Sequence, residues 1–328
     1  MNKDVKGKTQ WVLAAWLVGI VIVCSSVANA VGVAWTGTED ENWNNSNNWL
    51  TLATPFITIV PTAADEAVIN NSAVPNLPVI VDGDAIEIQR LTVRVSGVLT
   101  MNGGSVNMTF ASGRWRVGWR NGDNSFMIVN GGTITTIYTL QVCEDRGASG
   151  YLSISNATVS IGRGIALGAT AQPLQTGGTA TMILEAGTTF DCSSLAENAW
   201  SSEVRPNGTM IINGAQLNLN ASMNVYTGGV IWVNSGTVRS SNLIIQGEGE
   251  NGLVDIYEGM WRVSSNVVST LETYVTENKL VGYGGGGSVI INFDEGTGTT
   301  IVTAVPEPVV AGLILISLVG LAARTRKN

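Results

Sequence analysis

A short pattern recurs along the middle of the chain and leaves few folds open to it. Two apolar residues at alternate positions precede a small or polar cluster, then Thr or an equivalent, then another apolar residue. Leu99, Met101, Asn102-Gly103-Gly104, Ser105 and Val106 form one copy; Met127, Val129, Asn130-Gly131-Gly132, Thr133 and Ile134 form the next. The frame continues through Leu152, Ile154 with Thr158; Met182, Leu184 with Thr188; and Met210, Ile212 with Gln216. It ends with Ile231, Val233 with Thr237; Val254, Ile256 with Met260; and Ile291, Phe293 with Thr297. Six steps separate Ser105 from Met260 over 155 positions, a mean of about 26 residues.

A period of this size marks a stacked repeat. Alternating apolar positions indicate strands, and extended helical periodicity is nearly absent. One coil is too short to bury its own apolar face, so burial requires stacking at ~4.8 Å per coil. That stacking predicts an interior ladder of Met101, Val129, Ile154, Leu184, Ile212 and Val233. It also predicts a corner ladder of amides from Asn102, Asn130, Asn213 and Asn234. The expected fold is all-β, a parallel β-solenoid of eight coils with two or three short strands each, roughly 40 Å long by the same rise. A β-sandwich would also give short, evenly spaced strands, but it does not require one five-position cluster to recur in register. The longer step from Met260 to Thr297 contains Tyr283-Gly284-Gly285-Gly286-Gly287, expected as a flexible loop or coil interruption.

Upstream of the repeats the composition changes: Trp35-Thr36-Gly37, Trp43, then Asn44-Asn45-Ser46-Asn47-Asn48-Trp49, with Pro61 and Asp65-Glu66-Ala67-Val68-Ile69 beyond. A solenoid needs a cap that stops growth from its open edge. Residues 31–90 are therefore expected to hold a cap and the first strands, with Trp35, Trp43 and Trp49 covering the first coil, and residues 91–303 to hold the repeats. The alternative use of these indoles is a platform on which sugar rings stack.

Both ends carry addresses. Lys3, Lys6 and Lys8 precede an uncharged apolar run from Trp11 to Cys24, and Ala28 and Ala30 place small residues where signal peptidase needs them. Residues 1–30 are thus expected to be a cleaved secretory signal, an uncleaved anchor being the alternative. At the other end Val305-Pro306-Glu307-Pro308 precedes an uncharged segment, residues 309–323, and the basic tail Arg324, Arg326 and Lys327. Fifteen residues of helix span only ~22 Å, marginal for a bilayer core of ~30 Å. The basic tail would stay cytoplasmic and leave the body outside.

The order of motif, apolar segment and basic tail resembles the PEP-CTERM sorting signal of Gram-negative bacteria. The resemblance covers residues 304–328 and implies a transmembrane sorting helix. It also implies processing near the Pro-Glu-Pro by an exosortase-type membrane protease. The repeat body is similar, in composition, to autotransporter-like and other exported bacterial β-helix proteins.

Composition limits the chemistry. None of the 328 residues is histidine, which removes Ser-His-Asp and Cys-His catalysis and imidazole-bound metals. Residues 1–30 and 306–328 hold six of the 17 Lys and Arg but two of the 25 acids, so the body keeps 11 against 23, a charge near −12. Such a body repels phosphate backbones, which argues against a nucleic-acid partner.

Candidate carboxylate pairs for glycoside chemistry are Asp82 with Asp84 and Glu87, Glu144 with Asp145, and Asp294 with Glu295; solvated turns are the simpler expectation. Asp82-Gly83-Asp84 and Glu39-Asp40-Glu41 offer oxygen ligands for calcium without matching a known loop. Arg114, Arg116 and Arg120 interleave with Trp115 and Trp119. On a strand Arg114 and Arg116 share one face, with Trp115 on the other. Arg114, Arg116 and Trp119 are therefore candidate contacts for an acidic polysaccharide, with Arg stacking on the indoles as the simpler alternative. Cys143 and Cys192, about two coils apart, are expected to be unpaired.

These features together predict a non-enzymatic exported protein, structural or adhesive, at the cell surface or in extracellular polysaccharide, with no cofactor. The competing class is a carbohydrate-active β-helix enzyme or a glycan-binding module.

Overall fold

The computed structural model describes residues 31–110, 114–145, 147–168, 178–193, 201–247 and 252–307. The segments 1–30 and 308–328, with Ala28, Ala30, Pro308, Arg324, Arg326 and Lys327, lie outside the described residues. So does the apolar run 309–323; among the described residues, no helix is long and apolar enough to cross a membrane.

The body is mostly β, built from stacked parallel strands in the manner of a β-solenoid. The strands form one ten-stranded and one seventeen-stranded sheet. Each coil contributes a three- or four-residue strand to the smaller sheet and two runs to the larger. In two coils the corner between those runs is gentle enough that Gly208–Leu219 and Val230–Ser240 each continue through it as a single strand.

The interior ladder follows from the register. Ile80, Met101, Val129, Ile154, Leu184, Ile212, Val233 and Ile256 pair in succession, and all have 0% exposure. Alternation places their neighbours outside, so that on Thr179–Glu185 the apolar Leu184 is buried while Ile183 is half-buried on the outer face. A second ladder runs through Val106, Ile134, Val159, Phe190, Leu217, Val238 and Trp261.

The amide row lies at the corner between the two runs. Asn130 Nδ2 donates to Asn102 Oδ1 at 2.9 Å, and Asn234 Nδ2 donates to Asn213 Oδ1 at 2.9 Å. Ser155 and Glu185 occupy the coils between: Ser155 Oγ donates to Asn130 Oδ1 and Asn213 Nδ2 to Glu185 Oε1. Close approach at this corner explains the glycines. Gly132 has φ of +88°, and a Cβ there would sit 2.5 Å from the Gly104 carbonyl oxygen one coil away.

The structure corrects three expectations. Thr188 is not the anchor of its copy, because the register pairs Thr158 with Thr189 and Thr189 with Gln216. That coil carries one more residue between its two runs than its neighbours do, and the corner absorbs it. Glu185 opposes both Asn213 and Gly214, the chain then turns, and Thr188 points inward to donate to the Ile154 carbonyl at 3.1 Å. Second, Ile291, Phe293 and Thr297 do not form a coil. Tyr283–Gly285 makes a short 3-10 turn into an antiparallel hairpin of Gly287–Asp294 and Thr299–Pro306, whose second strand runs antiparallel along Met260–Val263. Thr299–Pro306 thereby covers the edge of Met260–Val263, and Gly287–Asp294 becomes the outer strand.

Third, a helix, Val268–Thr276, with Leu271 fully buried, packs against Leu280–Gly282 and the hairpin strand Gly287–Asp294. Val267, Leu271, Tyr274 and Val275 have helical spacing, a signal hidden within an otherwise β-patterned sequence. The first strands expected before residue 91 are already stacked in parallel: Gly32–Trp35, Glu66–Ile69 and Arg90–Val93 are successive rungs. Val79–Ile80 and Ala85–Ile88 add a further coil below Val98–Met101 and Ser105–Met108.

Trp35, Trp43 and Trp49 are buried in the core at the amino-terminal end. Trp49 meets Trp35 and Trp43 edge to face, at 5.0 and 4.6 Å between centroids, and Trp49–Thr51 lies antiparallel along Gly32–Trp35. Indoles buried this way have no open face for a sugar ring.

Two neighbouring positions on one strand test the ladder. Leu184→Ala should cost about 2–5 kcal/mol of unfolding free energy, and Ile183→Thr less than about 1 kcal/mol, measured by chemical denaturation. Equal losses would mean that the two faces of that strand are not distinguished as described.

Candidate functional site

The short strands of the smaller sheet share one arrangement: outer residues of the triplet enter the core and the middle one faces outward. In Trp115–Val117, Leu140–Val142, Ile165–Leu167, Ser202–Val204 and Met223–Val225 the flanking residues are buried. Register then lines up Thr92, Arg116, Gln141, Ala166, Glu203, Asn224 and Ile244 as one outward row. The outward positions of the larger sheet carry mostly Thr, Ser, Asn and apolar side chains, with Glu87, Glu185, Asp191, Arg239 and Arg262 among them.

At one end of the row, Arg114 and Arg116 share a face while Trp115 is fully buried in the core. Both guanidiniums ion-pair with Glu144, Arg116 Nε lying 2.6 Å from Glu144 Oε2. Oriented so that its nitrogen donates, the Gln141 amide reaches the same oxygen at 2.9 Å. Burial lowers the Arg116 pKa from its ordinary value, and the Glu144 charge opposes that shift. Thr92 Oγ1 donates to Glu66 Oε1 at 2.6 Å beside the cluster. Trp119 is half-buried, with the guanidinium carbons of Arg120, Arg116 and Arg94 at 4.4, 4.5 and 5.8 Å from its centroid. Arg stacking on an indole is therefore present, and Glu144 neutralises part of the positive charge.

A second cluster lies further along. Arg205 donates to Glu203 from Nε at 2.7 Å and ion-pairs through Nη2. Tyr226 Oη donates to Glu203 Oε1 at 3.4 Å. Burial, then the Glu203 charge, raises the Tyr226 pKa, so the phenol remains a neutral donor. Glu203, Arg205, Asn224 and Tyr226 do not stand out in the sequence. The signal that could have found them is the triplet of core, variable, core residues that follows each repeat anchor.

Two of the other acidic candidates, Asp84 and Asp294, are bound into turns. Asp84 accepts from the Val81 amide at 2.9 Å and from Asn44 Nδ2 at 2.7 Å. Asp294 accepts from the Gly296 amide and Thr297 Oγ1, and these hydrogen bonds, Thr297 first, lower its pKa. The Glu39-Asp40-Glu41 run meets the Asn-rich segment: Asn45 Nδ2 donates to Asp40 at 2.9 Å and Asn47 Nδ2 to Glu39 at 3.0 Å. Hydrogen bonds from Asn45 and Asn48 lower the Asp40 pKa. Among the described residues, no group of three or more Asp, Glu or Cys could hold a metal ion. Glu87 borders a shallow, open hollow with Trp43, Pro61 and Thr62.

Cys143 and Cys192 are free and buried, as expected, although the reason differs. Cys192 is a rung between Ile161 and Leu219, while Cys143 follows Leu140–Val142 on the other sheet, its Sγ 3.0 Å from the Ala148 carbonyl oxygen. Burial, then Asp145, pushes the Cys143 thiol from 9.0 up to about 11, and burial raises Cys192 further.

Neither thiol should react with iodoacetamide at about pH 8 in the folded protein, and both should react in denaturant; rapid native labelling would contradict their burial. Because folding favours the protonated Cys143, stability should fall as pH rises from 9.0 towards about 11. Glu144→Gln should cost about 3 kcal/mol, since it leaves two neighbouring guanidiniums without their shared carboxylate; a loss under about 1 kcal/mol would show that solvent replaces it. No protein-family model matches the chain, and comparisons with curated proteins and with solved structures find no match.

Proposed function

We propose that this chain is an exported, non-enzymatic structural or adhesive protein of the cell surface or extracellular matrix. The amino-terminal signal directs it across the membrane, and signal peptidase removes that signal. The PEP-CTERM-type segment anchors it through residues 309–323 until an exosortase-type enzyme processes it near Pro306-Glu307-Pro308. The observation that best supports this reading is the junction between body and motif. The last strand, Thr299–Pro306, ends within the motif, with Pro306 opposite Gly287 and the Glu307 amide donating to the Gly286 carbonyl at 3.3 Å. The final hairpin of the body thus carries the first residues of the motif, an arrangement that fits a cargo domain joined directly to its address.

The engaged carboxylates favour a scaffold over an enzyme. Asp40, Asp84 and Asp294 stabilise turns, while Glu144 and Glu203 neutralise guanidiniums. Glycoside hydrolysis requires two carboxyl groups facing one sugar across a cleft. Extracellular polysaccharide is the expected partner, met at Arg114, Arg116 and Trp119 around the outward row.

Mass spectrometry of surface-exposed protein tests the sorting reading. The expected mature species lacks residues 1–30 and the tail beyond the motif. Replacing Pro306, Glu307 and Pro308 by Ala should leave the full tail on a membrane-bound form. An intact Arg324–Asn328 tail on the surface form of the unaltered protein would overturn the reading.

A further inference from the structure

We infer that the hairpin strand Gly287–Asp294 is a removable cover over the first residues of the sorting motif, and that processing waits for its release. This rests on the sorting reading above and concerns how that same site is controlled.

The pairing of the hairpin makes the cover. Val305 stands opposite Ser288 and Pro306 opposite Gly287, while the Glu307 amide donates to the Gly286 carbonyl at 3.3 Å. Hydrogen-bonded pairs alternate along an antiparallel ladder, so the bond between Glu307 and Gly286 makes Val305 with Ser288 the next such pair. A processing enzyme takes up an extended segment through that segment's own backbone N–H and C=O groups. The backbone groups of Val305 and the amide of Glu307 are already engaged.

Release does not require the body to unfold. Residues 300–302 of the last strand pair with Trp261, Arg262 and Val263, and the Thr300 hydroxyl donates to the Ser265 carbonyl at 2.6 Å. Among the described residues, positions 303–306 pair with Gly287–Asp294 alone. That outer strand has no fully buried residue; Val289 and Ile291 pack against the core from one face. Among the described residues, no strand pairs along its far edge beyond Gly287. It starts from Gly284, whose amide is tied to the Asp255 carboxylate at 3.0 Å and whose φ is +67°, a fixed point followed by three more glycines. A strand so lightly buried opens locally at lower cost than the core. Cleavage of a transiently opened segment then follows the population of the open form.

The test locks the cover without touching the motif. Val289 and Ala304 oppose each other between hydrogen-bonded pairs, where Cα atoms lie about 4.5 Å apart, within reach of a disulfide. The full-length chain carrying Val289→Cys and Ala304→Cys is followed by pulse labelling and mass spectrometry in the bacterium that makes it. Only chains that have lost residues 1–30 are counted, so export is not the variable. Alkylation in denaturant separates cross-linked chains, whose remaining thiols are Cys143 and Cys192, from reduced ones. Cross-linked chains should lose the tail at least about tenfold more slowly than reduced chains and than the unaltered protein. In the opposite direction, Ser288→Pro removes the amide that faces Val305, and should raise both hydrogen exchange at Val305 and the rate of tail loss at least about threefold. Circular dichroism melting checks the fold of each variant. Equal tail loss in cross-linked and unaltered chains, or unchanged tail loss in Ser288→Pro despite faster exchange, would overturn the cover and leave the sorting reading standing. An intact tail on the surface form of the unaltered protein would overturn both.

Discussion

The register of apolar side chains between successive coils underlies every other feature of this molecule. A single coil cannot exclude water from Ile154 or Ile212 without a coil on either side, so burial is shared between neighbours and stability is cooperative along the stack. Ile212, for example, pairs with Leu184 on one side and Val233 on the other. The same constraint explains how the chain handles its irregular step. The extra residue before Thr189 is taken up at a corner, which leaves the apolar rungs above and below in line. Slipping the strand instead would turn its whole core face outward.

A parallel stack has open edges at its two ends, and at each end a reversed strand covers one. Trp49–Thr51 runs antiparallel on the first rung of the smaller sheet, and Thr299–Pro306 runs antiparallel on Met260–Val263 of the larger. The indoles of Trp35, Trp43 and Trp49 fill the first end of the core, and Leu271 of the helix packs at the other. The strand left at the edge of the smaller sheet, Trp49–Thr51, is only three residues long, which limits what another chain could pair with there. The final hairpin also holds the start of the sorting motif against the body, through the Glu307 amide and the Gly286 carbonyl.

Much of this was legible in particular residues. Met101, Val129 and Ile154 identify the interior ladder because apolar alternation at a fixed period has few other physical outcomes, and Asn102 with Asn130 identifies the amide row. The helix at Val268–Thr276 was not legible, because four apolar residues at helical spacing carry little weight beside so many β-patterned ones. The charge clusters of the smaller sheet were hidden for a different reason. Arg116 and Glu144, like Glu203 and Tyr226, are far apart in sequence and lie in or beside triplets whose spacing from the repeat anchor varies, so nothing local shows that they meet. Likewise, the acidic run at Asp40 and the Asn-rich run at Asn45 are separate features in sequence, and become one hydrogen-bonded loop only when the chain folds back.

The order of residues alone pointed to a stacked, parallel, all-β body, because one cluster recurring in register beside alternating apolar residues is what stacked coils require and a sandwich does not. It was also enough to close certain mechanisms to the chain, since the absence of histidine is a chemical fact that folding does not alter. Which charges meet was settled in three dimensions. Arg114 and Arg116 share Glu144, Arg205 holds Glu203, and Asn224 keeps an unused oxygen. Those outcomes depend on the lateral register between coils, which is fixed by packing across the whole stack and not by the residues adjacent to each charge.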